Sequence, residues 1–96
     1  MQPIFKTNGT YLGFIESNLL FSRDGEYLGW VEGAFAWDKD GRFRGQVWNT
    51  KYIIVNRFAV PPVPRVPKAQ PARPTLPAPP ANIPAVPLPP GWQDAF

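Results

Sequence analysis

The stretch Arg23-Asp24-Gly25-Glu26-Tyr27-Leu28-Gly29-Trp30 stands sixteen residues after Thr7-Asn8-Gly9-Thr10-Tyr11-Leu12-Gly13-Phe14 and sixteen before Lys39-Asp40-Gly41-Arg42-Phe43-Arg44-Gly45-Gln46. The same offset carries Ile15 to Val31 to Val47, and Phe5 to Phe21 to Trp37 to Ile53. Asn56 takes the Asn8/Asp24/Asp40 position in a fourth, decayed copy, where Arg57 replaces the turn glycine and Pro61 the second glycine. A strict short period means one supersecondary unit used several times, each too small to bury its apolar face alone.

The unit is a β-hairpin. Asn-Gly or Asp-Gly between apolar runs is a strong local hairpin signal, because glycine takes the positive φ that the turn requires. Two registers compete, and side-chain alternation decides between them. A two-residue turn would set Ser22 against Tyr27 and Asp38 against Phe43. A three-residue loop with a glycine bulge pairs Phe21 with Tyr27, Leu19 with Gly29, Ser22 with Glu26 and Asp38 with Arg42, which separates polar from apolar residues. This register predicts a core face of Phe5, Tyr11, Ile15, Leu19, Phe21, Tyr27, Val31, Phe35, Trp37, Phe43, Val47 and Ile53. Gly13, Gly29 and Gly45 fall mid-strand on that face, implying a close approach or a sharp bend. With turns near 7–9, 16–18, 23–25, 32–33, 39–41, 49–50 and 56–57, residues 4–60 form an antiparallel meander of about eight short strands. Four equal hairpins with one apolar face curl into a shallow closed ring or barrel of approximate four-fold symmetry. The fold class is therefore all-β.

These Asp-Gly-x-Tyr-x-Gly-Trp copies at sixteen-residue spacing resemble the bacterial four-fold β-flower family, small proteins of four hairpin petals, over residues 4–60. The resemblance implies a petalled ring and brings no functional residue with it. A weaker likeness is to MORN repeats, which share Tyr-x-Gly followed by an aromatic residue but have a longer repeat.

All but Pro3 of the 14 prolines lie at or beyond Pro61. The chain thus divides into a hairpin domain over 1–60, a polyproline II segment over 61–90 and an aromatic anchor over 91–96, Gly91-Trp92-Gln93-Asp94-Ala95-Phe96. A sixty-residue domain buries only about 60% of its unfolded surface and is marginally stable. Cysteine and histidine are absent, so no disulfide, thiolate zinc site or imidazole is available, and no cofactor is expected. The net charge of +3 is dispersed, unlike the basic stripe of a nucleic-acid binder. The N-terminus lacks the charged lead and apolar run of a signal peptide. A cytoplasmic location is expected.

The opposite face is unequal between copies. Ile4, Leu12, Phe14, Leu20, Leu28 and Trp30 crowd it in the first two, where the third places Ala36, Arg44 and Gln46. An apolar patch of that kind marks a contact surface. Its expected occupant is the tail, with Trp92 and Phe96 packing near Leu12, Phe14, Leu28 and Trp30, in the same molecule or in a homo-oligomer, or else a protein partner. Lys68-Ala69-Gln70-Pro71-Ala72-Arg73-Pro74 fits the basic-x-x-Pro-x-x-Pro pattern of SH3-type ligands.

The carboxylates have local explanations. Asp24 and Asp40 precede turn glycines, Asp38 faces Arg42, and Glu16 and Glu32 lie in connections. No hydroxyl stands beside a histidine, and there is no phosphate-cradling loop. The expected function is a non-catalytic protein-interaction module using the patch and the tail. The alternative is a small barrel binding an apolar ligand or membrane lipid, which an open aromatic cavity of drug size would favour and a filled interior would oppose.

Overall fold

A computed structural model describes residues 2–58, 62–68, 71 and 74–96. Each Asx-Gly loop closes as a three-residue turn. Gly25 N–H donates to Ser22 O at 3.0 Å and Ser22 N–H to Glu26 O at 2.8 Å, and the Asp38–Arg42 loop repeats both bonds at 3.0 and 2.9 Å. Gly25 sits at φ 86, the left-handed conformation of a glycine bulge. The first residue of the loop stiffens it further: Asp38 Oδ1 accepts from the N–H groups of Asp40 and Arg42 at 2.9 and 3.0 Å. The opposite ends of the hairpins turn tightly. Ser17 and Asn18 both have positive φ, 51 and 63, the signature of a type I′ turn.

These turns connect β1 (Gln2–Phe5), β2 (Tyr11–Glu16), β3 (Leu19–Ser22), β4 (Tyr27–Glu32), β5 (Phe35–Asp38), β6 (Phe43–Trp48) and β7 (Tyr52–Asn56), each antiparallel to the next. A parallel bridge between Phe5 and Tyr52 closes them into a seven-stranded barrel. An eighth strand, β8 (Trp92–Asp94), pairs with β7 from outside. The eighth strand therefore comes from the tail rather than from residues 4–60. The molecule measures 36 × 35 × 18 Å, the proportions of a shallow ring.

Phe21 opposes Tyr27 as expected, but Gly29 opposes Leu20 and not Leu19. Two residues, Tyr27 and Leu28, thus face one position of β3, and the faces exchange across this bulge. They exchange again at the following glycine, so Tyr27 and Trp30 point outward while Leu28 and Val31 point inward. The core is accordingly different from the strict alternation. At the centre lie Ile4, Leu20, Ala36, Ile53 and Ala95, ringed by Leu12, Ile15, Leu28, Val31, Val47, Val55 and Phe96. Most of the expected core aromatics pack instead as perimeter clusters, one of Phe14, Phe21 and Tyr27, another of Phe5, Tyr11, Tyr52 and Ile54.

Gly13, Gly29 and Gly45 allow that second exchange. A Cβ on Gly13 would lie 1.9 Å from the Phe21 carbonyl oxygen, on Gly29 1.8 Å from that of Trp37, and on Gly45 2.3 Å from that of Ile54. The close approach is to backbone, not to facing aromatic rings. The fourth copy departs in one more respect. Its turn spans Asn49–Lys51, and Val47 pairs with Ile53 where Val31 pairs with Ala36. One inserted residue makes Ile53 the counterpart of Leu20 and Ala36, and Ile54 the counterpart of Phe21 and Trp37.

Gly13→Ala forces a methyl into backbone and should cost about 2–3 kcal/mol. Gly33→Ala, at φ 58 with nothing within 4 Å, should cost only about 1 kcal/mol. Equal urea midpoints for the two variants would contradict the contact. Deleting residues 91–96 removes the β7–β8 pairing and the burial of Ala95 and Phe96. It should lower the melting temperature by more than about 10 °C for a domain of this size, whereas an unchanged melting temperature would show that β8 contributes nothing.

Candidate functional site

The outward faces of the three complete hairpins are built on one cross-strand pair each. Phe14 faces Phe21 in β2–β3, Trp30 faces Trp37 in β4–β5, and Gln46 faces Ile54 in β6–β7. A further ring extends the first two: Tyr27 lies 6.1 Å from Phe21, and Phe43 5.5 Å from Trp37. Burial pushes the Tyr27 hydroxyl pKa up, and does the same to Tyr11 against the opposing pull of Arg23.

The candidate patch is not an exposed surface. Phe14 and Trp30 are 0% and 1% exposed, and Leu12 and Leu28 pack on the central core. The reason is the double exchange of faces, which turns both leucines inward and both aromatics outward under other groups. Phe96 joins Leu12 and Leu28 at the centre, beneath the Arg44 guanidinium 4.3 Å from its ring. Trp92 packs elsewhere, against Phe5, Tyr11, Tyr52 and Ile54.

The proline-rich segment follows the perimeter. Over the tryptophan pair, Arg65 N–H donates to Gly41 O at 2.7 Å, its guanidinium lies 5.0 Å from Trp37, and Lys68 Nζ lies 5.2 Å from Trp30. Both cations reach Glu32, at 2.9 and 3.6 Å, and Glu32 also accepts from Trp30 Nε1 at 3.1 Å. Of the SH3-type pattern, residues 69, 70, 72 and 73 lie outside the described residues. Further on, Pro71, Pro74, Pro77, Pro80, Ile83 and Val86 are half-buried, and the described residues between them are exposed. That threefold rhythm is the period of polyproline II, one face of which rests on the ring. Ile83 N–H donates to Gly9 O at 3.1 Å and Val86 N–H to Thr7 O at 2.8 Å.

The chain end is fixed by charge-assisted bonds: Thr7 N–H and Oγ1 reach the Asp94 carboxylate at 3.0 and 2.8 Å. Ala95 N–H donates to Ile53 O at 3.0 Å, and Arg44 donates to Ala95 O.

One sector is open. Gln46 and Ile54 are smaller than the aromatic pairs of the other two hairpins, and beside them lies a cleft of about 630 Å³ walled by Phe35, Phe43, Ile54, Val55 and Trp92. Its rim carries the amides of Gln46, Asn56 and Gln93 and the side chain of Arg57, with Pro62 at one edge. The returning tail borders this cleft, with Trp92 paired to Asn56 and Arg57 N–H donating to Gly91 O at 2.8 Å. Phe35 is 44% exposed, and Phe58, next to Arg57, is 80% exposed. Among the described residues, Arg57 is the charged group of the lining, and no carboxylate, hydroxyl or thiol joins it. Such walls offer apolar area, amide hydrogen bonds and one cation, which is the chemistry of binding. Sequence reasoning missed this site because it looked for surplus apolar residues. The signal was the opposite one, Gln46 standing where Phe14 and Trp30 recur.

A closed ring of hairpin petals, filled at its centre and with its fourth petal completed by the returning tail, defines a petalled all-β repeat protein. The chain belongs to the four-fold β-flower family: the family model described as "4-fold beta flower protein" matches residues 2–95, well past the hairpins themselves. No curated protein and no solved structure matches the chain.

Restoring the missing aromatic should fill the cleft. Gln46→Trp places an indole against Ile54 and Phe43 and should raise stability by about 1 kcal/mol, seen as a melting temperature higher by about 4–8 °C. A lower melting temperature with the fold retained would show that the cleft cannot close over an added ring.

Proposed function

We propose that this protein is a non-catalytic interaction module whose recognition surface is the open cleft beside Gln46 and Ile54. The observation that carries this reading is selective coverage. The chain spends its long proline-rich segment covering the Trp30/Trp37 face and the Phe5/Tyr11/Tyr52 cluster, yet leaves open an apolar cleft of about 630 Å³. That volume lies within the range of roughly 300–1,000 Å³ in which specific ligands are held. A ligand inside the barrel has less support, because Ile4, Leu20 and Ala36 occupy the centre at 0% exposure.

The aromatic sulfonate dye anilinonaphthalene sulfonate, an apolar body with one negative charge, is a suitable probe of the cleft. Titrated into the full chain by calorimetry, it should bind saturably at one site per chain. The folded Gln46→Trp variant should lose that binding. Equal binding by the variant, or no saturable binding by the parent protein, would overturn the reading.

A further inference from the structure

Resting on that reading, we infer that the occupant of the open cleft is an extended, proline-rich segment of another polypeptide, carrying an acidic residue opposite Arg57. The molecule itself supplies the template. Across the Trp30/Trp37 face its own chain lies extended, and Arg65 and Lys68, three residues apart, stand over Trp37 and Trp30. Three residues is one turn of polyproline II, so both cations leave the segment on one side and meet the same ring carboxylate, Glu32. Across the Phe5/Tyr11/Tyr52 cluster the segment repeats the rule with Ile83 and Val86, again three apart, packed on the aromatic rings. The grip in each case combines an aromatic floor, a side chain every third residue and a backbone bond to a turn carbonyl, Gly41 O or Gly9 O.

The open cleft keeps the aromatic floor in Phe35, Phe43 and Trp92 but inverts the charge. Where the tryptophan face presents Glu32 to a basic segment, the cleft rim presents Arg57, whose guanidinium lies 5.6 Å from the exposed Phe58 ring. The chain's own basic segment is matched to Glu32 and mismatched to Arg57. A partner segment that alternates proline with small apolar residues and places a carboxylate at the third position satisfies floor and rim together. Pre-extended proline-rich chain also loses little entropy on docking.

Two capped hexapeptides test this: VPRVPK, the chain's own 63–68 sequence, and VPEVPE, the same peptide with both cations made acidic. Each is titrated into the full-length protein and followed by amide and indole NMR shifts. VPEVPE should move Gln46, Arg57, Gln93 and the Trp92 indole, and VPRVPK should bind these residues more weakly by a factor of about 1.4 to 5, the range of one exposed ion pair. In Arg57→Glu, a surface substitution, the order of the two peptides should reverse. No shift at the cleft with VPEVPE, or the same preference in Arg57→Glu as in the parent, would overturn the inference. If the sulfonate dye binds the cleft and neither peptide does, the extended-chain occupant is wrong while the recognition cleft stands. If neither dye nor peptide binds, both fall.

Discussion

Everything in this ring depends on a contact that contains no side chain. At Gly13, Gly29 and Gly45 the strand presses against the carbonyl of its neighbour, close enough that any Cβ would overlap it. A strand with strict alternation has one inner and one outer face, and hairpins built that way would leave every second residue in water. Here the bulge at the preceding pair and the bend at glycine reverse the alternation twice. Each long strand thereby sends Leu12 and Ile15, or Leu28 and Val31, inward and Tyr11 and Phe14, or Tyr27 and Trp30, outward. The result is a small aliphatic centre and a perimeter of aromatic clusters, two apolar layers from strands of six residues.

That second layer creates the need for the tail. A ring some 18 Å thick cannot fold over its own rim, so the perimeter aromatics require cover from outside. Extended proline-rich chain suits this because it carries few N–H donors and has no internal hydrogen bonds to break. The N–H groups that remain on Arg65, Ile83 and Val86 are spent on ring carbonyls. The same segment delivers β8 to the exposed edge of β7, where an unpaired strand would invite association with other chains. Cover for the aromatics and completion of the fourth petal are therefore one event, carried by one length of chain.

Much of this was legible in the sequence, and the failures are physical. The period, the turns and the Phe21–Tyr27 register follow from residues that act within one hairpin. The division of faces did not, because undisturbed alternation past Gly29 would put Leu28 and Trp30 on the same side, and the bend that separates them, enforced by a neighbouring backbone, leaves no mark but the glycine. The fourth copy hid a one-residue slip: Asn49, Thr50 and Lys51 fill a turn that Gly33 and Ala34 make with two. Trp92 and Phe96 were legible as anchors, but Trp92 was illegible as the start of a strand, since β8 pairs with residues some forty positions away. The third-residue rhythm from Pro71 to Val86 was present in the sequence and marks the face that packs.

The cleft belongs to a different order of information. Repetition explains a ring whose petals are equivalent, and equivalence by itself supplies no site, since whatever one petal bound the others would bind as well. A unique site needs a copy that breaks the rule without breaking the fold. Gln46 and Ile54 do this. They keep the β6–β7 ladder and leave Gly45 against the Ile54 carbonyl, so the bend survives, yet they withhold the aromatic bulk that Phe14/Phe21 and Trp30/Trp37 supply. Since the cleft opens to solvent, no sealed void is left behind, which keeps the cost of the lost volume small compared with a buried cavity. The cost that remains is exposed apolar wall at Phe35, and burial by a partner would recover it.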